Sequence, residues 1–540
     1  MFASKDALFT APSGYNISRS VRLRSSASAY FNRAEQSGNR QKWTLSFWIK
    51  RGSLSDCMLY ATGGTAVGQT YAQFYFTSAT FNYIDGTAGT GNNIWLATTQ
   101  VFRDPSAWYH IIIATDTTQA TASNRVKLYV NGSQVTALGT ATYPSQNYNT
   151  RISDTTAPNT STISFSGGSY DGYITEFNAI DGQALTPSSF GSTNAVTGVW
   201  QPAKYTGTYG TNGFYLNFSD NSNNTATTIG KDYSGNGNNW TPNNISVTSG
   251  ATYDSMLDVP TPYADGVNGR GNYAVLNAVN KGASGTGPAD GNLSWGAGGH
   301  ATILSTIGAS SGKWYAEFTL TTSSAGGFGI TSNPQAENAY SAIAGKWWIY
   351  DNTGSFNITS QTTTTYSGAS RFAVNQVWQV ALDIDNGKCF IGLANSWVDS
   401  AGGSTGNPST GANPTFTFTA GTQMFYFLEV AGCIWAANFG QRAFTNTAPS
   451  GYVALNTYNL PASTISNGAT VMAATTYTGT GSSLAITNTV SSTSFKPDLV
   501  WIKSRSAATD NTVYDSVRGA QSRLETNNRS EEHTSELQSH

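Results

Sequence analysis

Short runs in which apolar or aromatic residues alternate with Thr, Ser, Asn or Gly recur along most of the 540-residue chain. Residues 42–50 (KWTLSFWIK) place Trp43, Leu45, Phe47 and Ile49 on one face and Thr44, Ser46 and Trp48 on the other, the period of a strand. A period of two gives a helix no continuous apolar stripe, so these runs confine the chain to β architecture. Residues 172–180 alternate in the same way, and residues 125–135 (RVKLYVNGSQV) read as a hairpin because Asn131-Gly132 supplies the two positive-φ positions of a tight turn. Residues 107–115 (AWYHIIIAT) carry too many apolar side chains for a strand with one face in water. Short strands separated by turns predict two-sheet sandwiches.

A chain this rich in Thr, Ser, Asn and Gly could instead be disordered, but 14 Trp, 28 Tyr and 25 Phe supply the apolar surface that disordered segments lack. At roughly 150 residues per domain, the length predicts three to four domains. Lys plus Arg is 28 against 30 Asp plus Glu, so no basic excess exists for binding nucleic acid. Cys57, Cys389 and Cys433 are too few and too far apart for a disulfide framework or a zinc site. They read as small buried hydrophobes, with a Cys389–Cys433 bridge as the alternative. Residues 1–30 hold no secretion-signal stretch, and no run approaches the length of a membrane span.

In residues 14–195, Trp108-x-His110, Leu128-Tyr129-Val130-Asn131-Gly132, Asp171-Gly172-x-Ile174-x-Glu176 and Ala184-Leu185-Thr186 follow one another in an order that resembles the laminin-G-like, concanavalin A-like jelly roll. That resemblance implies binding of glycans or proteins at a sheet edge or rim loops, often with calcium, although some members are glycoside hydrolases. It also gives His110 a structural role. Residues 196–262 read as a linking segment. Its Asp232-Tyr233-Ser234-Gly235-Asn236-Gly237-Asn238 resembles a turn that accompanies laminin-G-like strands. Asp232, Asn236 and Asn238 are the candidate calcium ligands, since calcium takes clustered side-chain oxygens. The competing reading is a turn whose Asn and Asp side chains bond their own backbone. Val259-Pro260-Thr261-Pro262 marks a boundary.

Residues 263–455 form the next predicted sandwich. Gly312-Lys313-Trp314-Tyr315-x-Glu317, Ala381-x-Asp383-x-Asp385-Asn386-Gly387-Lys388 and Asn438-Phe439-Gly440-Gln441-Arg442-x-Phe444 resemble the SPRY (B30.2) domain, a β-sandwich whose members bind protein or peptide partners through loops. Trp314, Trp378 and Phe439 read as core. Residues 456–528 predict an incomplete C-terminal β unit, and Asp515-Ser516-Val517-Arg518-Gly519 resembles a motif of phage structural proteins. Residues 529–540 (RSEEHTSELQSH) break the composition and look like a translated sequencing adapter, which predicts a native sequence running on beyond Asn528. Without the one Arg and three Glu of that stretch, 27 basic and 27 acidic residues remain. Residues 1–13 are an N-terminal arm.

Catalysis has little to stand on. Glycoside hydrolysis needs two carboxylates about 5 to 10 Å apart, and Glu35, Glu176, Glu317, Glu337, Glu429 and Glu525 all lack an Asp two residues on. Besides the tail, the histidines are His110 and His300, and no nucleophile motif accompanies them. The fold class expected is therefore all-β, with tandem concanavalin A-like sandwiches. The arrangement resembles phage virion or tail-fibre proteins, which implies a non-enzymatic adhesin on the virion. Its expected partners are a host-surface glycan or protein and other virion proteins, with a homotrimer by analogy with fibres. The alternatives are a capsid decoration without a ligand and a carbohydrate-active enzyme.

Overall fold

A computed structural model describes residues 14–64, 66–156, 160–165, 170–296, 298–337, 343–352, 354–487, 495–519, 522–526 and 531–533. The arm 1–13 lies outside the described residues, as does most of 529–540. Two compact units divide the chain. Among the described residues, one takes in 14–193 and 200–461, and the other 194–199 and the residues from 462 onward.

The larger unit is two β-sandwiches in tandem. In the first, one sheet is centred on Lys42–Arg51, flanked by Trp108–Asp116 and Gly172–Asp181. The facing sheet runs Leu138–Thr142, Gly91–Val101, Thr80–Thr87, Thr70–Thr77, Cys57–Gly63, Thr160–Ile163, Tyr30–Ala34 and Thr241–Asn243. Trp43, Phe47, Phe74, Tyr83, Phe177 and Trp240 fill the space between them. The expected Trp43 and Phe47 face points inward, and Thr44, Ser46 and Trp48, though on the other face, are also buried.

The outer face of that central sheet is covered, which accounts for the apolar character of residues 107–115. Ile112 and Ala114 pack under Phe190 and Tyr205, while Trp48, Trp108 and Tyr173 join the core of the second sandwich. The stretch 196–262, expected to be a link, is integral to the fold. Phe214–Leu216 pairs with Gly172–Asp181, Thr241–Asn243 with Tyr30–Ala34, and Ser255–Met256 with Ser20–Leu23, so it extends both sheets.

In the second sandwich, Phe425–Ala431 and Ala325–Thr331 lie in one sheet, and Lys313–Thr322, Val377–Asp383 and Ile434–Asn438 in the other. Trp314, Trp378 and Phe439 are at most 2% exposed, in the core with Trp295, Phe328 and Trp435. Cys57, Cys389 and Cys433 are buried free thiols, not a bridge.

The two sandwiches meet at a polar seam. Lys50, fully buried, donates from Nζ to Asp258 Oδ2 (2.8 Å), Asn272 Oδ1 (2.7 Å) and the Tyr273 carbonyl (2.9 Å). Trp108 Nε1 donates to Asp258 Oδ1 at 3.0 Å. Asp171 accepts the backbone N–H groups of Asp290 (2.8 Å) and Gly291 (2.5 Å), and Tyr173 donates to the Gly291 carbonyl at 2.8 Å.

In the smaller unit, Leu499–Ile502, Thr512–Asp515, Ser522–Glu525 and Glu531–His533 form a four-stranded antiparallel sheet. Asp515 accepts from Arg518 Nε at 2.7 Å within it. Among the described residues, no helix is long and apolar enough to cross a membrane.

Candidate functional site

The facing sheet of the first sandwich has a second face, turned away from the core. In Thr70–Thr77, Ala72, Phe74 and Phe76 point inward and are fully buried, so strand alternation sends Tyr71, Gln73 and Tyr75 outward. Register then carries that face across neighbouring strands. Tyr75 stands opposite Asn82, Gln73 opposite Ile84, Ile84 opposite Trp95, and Trp95 opposite Thr142. Cross-strand partners share a face, so Tyr71, Tyr75 and Trp95 look out together beside Gln73 and Thr142, while Asn82, on the same face, is only 4% exposed. None of these side chains is charged.

Trp95 is 40% exposed, the most open tryptophan of this sandwich, and its Nε1 donates to Asn82 Oδ1 at 3.3 Å. Tyr71 donates to Asn92 Oδ1 at 2.6 Å. At about 4.8 Å between strands and about 3.3 Å per residue along them, the three rings span a field roughly 10 by 13 Å. Sequence alternation did not single them out, because residues 70–77 (TYAQFYFT) carry aromatics on both parities and only the second sheet decides which parity is covered. The informative signal was Gln73, the one polar residue between Tyr71 and Tyr75 on their own parity.

The residues expected to hold calcium form a closed hydrogen-bonded turn. Asp232 Oδ1 accepts the N–H groups of Tyr215 and Ser234, and its Oδ2 accepts the Ser234 hydroxyl and the Asn238 N–H, each at 2.8 Å. The side-chain amide nitrogens of Asn236 and Asn238 both donate to the Gly213 carbonyl at 2.8 Å. Calcium takes about six to eight converging oxygens; here the carboxylate already accepts four bonds and the amides turn nitrogen inward, so the set as placed does not fit the ion. Among the described residues, no group of three or more His, Cys, Asp or Glu could hold a metal. A chelator is therefore expected to leave the melting temperature of the full chain unchanged in calorimetry, and a drop of several degrees would reinstate a metal.

His110 is buried between the rings of Trp48 and Trp200, with centroids 4.7 and 6.0 Å away. Trp200 Nε1 donates to His110 Nδ1 at 2.9 Å, so the ring proton sits on Nε2 and is donated to Ser46 Oγ at 2.8 Å. Burial pushes the imidazole pKa down to about 3, which keeps it neutral. Gly132, at φ +80°, lies against Trp200, where a Cβ would come within 2.4 Å of the indole. The turn that calls for glycine and the stack on His110 thus make the same demand.

The glutamates are likewise engaged. Glu35 accepts from Ser161 and Asn212, and Glu317 from the Thr445 and Asn446 N–H groups at 2.7 Å. Glu176, at φ +52° in a strand irregularity, accepts from the Tyr15 hydroxyl at 2.7 Å and from Tyr215 at 2.8 Å. Burial raises its pKa to about 7. His300, which sequence left without a partner, lies 3.7 Å from Glu429, itself held by Lys346 at 2.7 Å.

Residues 25–190 match the family model described as the concanavalin A-like lectin/glucanases superfamily. The first sandwich is concanavalin A-like, as its motif order predicts. Residues 467–540 match a domain of unknown function (DUF7483), and the match includes the last twelve residues. No curated protein matches the chain. Among solved structures, the SPRY domain of human HERC1 is similar at 14% identity over 31% of this chain and 99% of that one, with a TM-score of 0.24. A native heptameric SAP-like pentraxin from Limulus polyphemus is similar at 15% identity over 32% of this chain and 80% of that one, with a TM-score of 0.23.

Proposed function

We propose that the chain is a binding protein without catalytic activity, displayed on a phage virion or tail fibre, and that it adheres to a neutral glycan of the host surface through the Tyr71, Tyr75 and Trp95 face. The observation that carries this reading is an uncharged, aromatic outer sheet face on a concanavalin A-like sandwich. Aromatic rings offer a flat apolar surface to the carbon face of a sugar, while Gln73 and Thr142 offer donors and acceptors to its hydroxyls. A ligand without charge needs no ionic partner, in keeping with a chain whose charges balance. The non-catalytic reading is supported by Glu35, Glu176 and Glu317, each buried and bonded to structural donors rather than facing this surface. The virion setting rests on the resemblance of the domain order and of residues 515–519 to phage proteins. Other virion proteins, and two further copies of the chain in a fibre, would be its partners there.

A glycan array probed with the full chain tests the face. Binding of at least one neutral oligosaccharide is expected, and Trp95→Ala is expected to weaken it about tenfold, the loss of an aromatic contact of about 1.5 kcal/mol. Its melting temperature should match wild type, since Trp95 is exposed. Absence of binding across the array, or full binding by Trp95→Ala, removes the face as the site.

A further inference from the structure

A cavity of about 300 Å³ opens beside the seam between the two sandwiches, lined by Arg19, Val247, Tyr253, Ser255, Leu257 and Arg442 among others. Ser249 and Gly250, at its rim, are exposed, so solvent reaches it. Arg442, only 4% exposed, lines it from the second sandwich.

The position of Arg442 is set by its neighbours. Gln441 Oε1 accepts the Phe439 N–H at 2.7 Å, Asn438 Oδ1 accepts the Gly440 N–H at 3.0 Å, and the Gln441 carbonyl accepts the Leu257 N–H at 2.7 Å. Gly440 adopts φ +104° where a Cβ would meet Ala454 at 2.4 Å, so the backbone before Arg442 has no freedom to move it.

What the guanidinium lacks is an acceptor. Its Nη1 is buried without a hydrogen-bond partner. The two nearby carboxylates are already engaged. Asp254 Oδ1 accepts from Arg22 Nε at 3.0 Å and from Arg24 Nε at 2.8 Å, and its Oδ2 accepts the Ser246 N–H at 2.8 Å. Glu317 is held by the 445–446 backbone. Arg19, which also lines the cavity, is held by neutral groups, donating to Ser255 at 3.3 Å to Oγ and 3.4 Å to the carbonyl and bonding the Tyr253 side chain. Its nearest acid, Asp265, pairs with Arg270 at 2.7 Å. Arg22, Arg24 and Arg442 thus share a single Asp254. Burial, followed by the Arg22 charge, pulls the Arg442 pKa down to about 9. An unpaired charge in such a place is strongly disfavoured unless something anionic joins it.

We infer that this cavity binds an oxyanion carried on a small ring, a uronate carboxylate or a sugar sulfate, with Arg442 and Arg19 as its clamps. Guanidinium groups match carboxylate and sulfate oxygens geometrically and bind them strongly. The volume lies at the small end for ligand sites and holds about one sugar unit, not a polymer. Val247, Leu257 and the Tyr253 ring line the remainder and suit the carbon face of that unit. The site is separate from the Tyr71, Tyr75 and Trp95 face, and the two can fail independently.

Thermal melts of the full chain at fixed ionic strength, with chloride replaced stepwise by glucuronate or sulfate and with glucose as the uncharged control, test the assignment. Glucuronate and sulfate should raise the melting temperature of wild type saturably, by several degrees, while glucose leaves it unchanged. Sulfate also stabilises proteins without a site, so the difference between variants decides. Arg442→Met should lose the saturable response and, freed of an unpaired buried charge, should melt no lower than wild type in chloride. Arg19→Gln, at the rim, should fold normally and weaken anion affinity at least fivefold. No saturable response in wild type, an intact response in Arg442→Met, or unchanged affinity in Arg19→Gln overturns the site.

Discussion

Asp258→Ala is expected to destabilise the chain by about 3 to 5 kcal/mol. Asp258 and Lys50 are both fully buried, and the Lys50 ammonium donates to Asp258, Asn272 and the Tyr273 carbonyl. Truncating Asp258 leaves that ammonium without a counter-charge and the Trp108 indole N–H without its acceptor. Burial acts on the two partners in opposite senses, lowering the Lys50 pKa and raising that of Asp258, while each partner's charge opposes that shift in the other. The double replacement Lys50→Met with Asp258→Leu should recover most of the loss, because a well-packed apolar pair of similar volume often equals a buried ion pair. Urea unfolding of wild type, Asp258→Ala and the double variant measures both quantities. A single-variant loss below about 1 kcal/mol would mean that water reaches the seam.

Stability should fall as pH rises from 6 to 8, by about 1.4 kcal/mol for each of Glu176 and Asp85. Burial lifts both carboxyls to about 7, against ordinary values of 4.5 and 3.8. Glu176 sits between Tyr15 and Tyr215, and Asp85 accepts from the Tyr148 hydroxyl (2.9 Å) and the Arg151 N–H (2.7 Å). A raised folded-state pKa means that the native protein holds the proton more tightly than the unfolded chain. The resulting stabilisation is complete below about pH 4 and is lost as pH passes through 7. Glu429, also raised to about 7, adds to the slope. His110 works in the other direction: its depressed pKa removes stability as pH falls below 6.5, so the carboxylates dominate above that point. Glu176→Gln should flatten the profile by about 1.4 kcal/mol between pH 6 and 8. A profile flat from 6 to 8 in wild type would show that water solvates these carboxyls.

Much of the fold was legible because strand alternation is a local property. Trp43 and Phe47 face the core as their parity requires, and Asn131-Gly132 turns where its positive-φ positions allow, with both residues in the left-handed region. Residues 107–115 carried a correct message about the tertiary structure, since their surplus of apolar side chains implied a second covering layer. What supplies that layer was not readable. Tyr205 and Trp200 come from the stretch taken for a link, whose strands are only two or three residues long and show no period. The Asp232 turn showed the same limit in its chemistry. Asp and Asn clustered in sequence suit both a calcium ion and a self-bonded loop, and only the carbonyls of residues 210–213, brought in by the fold, turn the amide nitrogens inward.

By itself the sequence determined a β protein of tandem sandwiches with neutral, Thr- and Asn-rich faces, because side-chain parity and turn chemistry act over a few residues. Only the tertiary structure decided which aromatic parity of residues 70–77 meets solvent, and that Lys50 finds Asp258 some two hundred residues away. It alone brought Arg22, Arg24 and Arg442 around one aspartate. Those outcomes depend on which sheet covers which face and which strand ends meet at the seam. No local pattern encodes that pairing, because the free energy that selects it comes from burying surfaces contributed by distant parts of the chain.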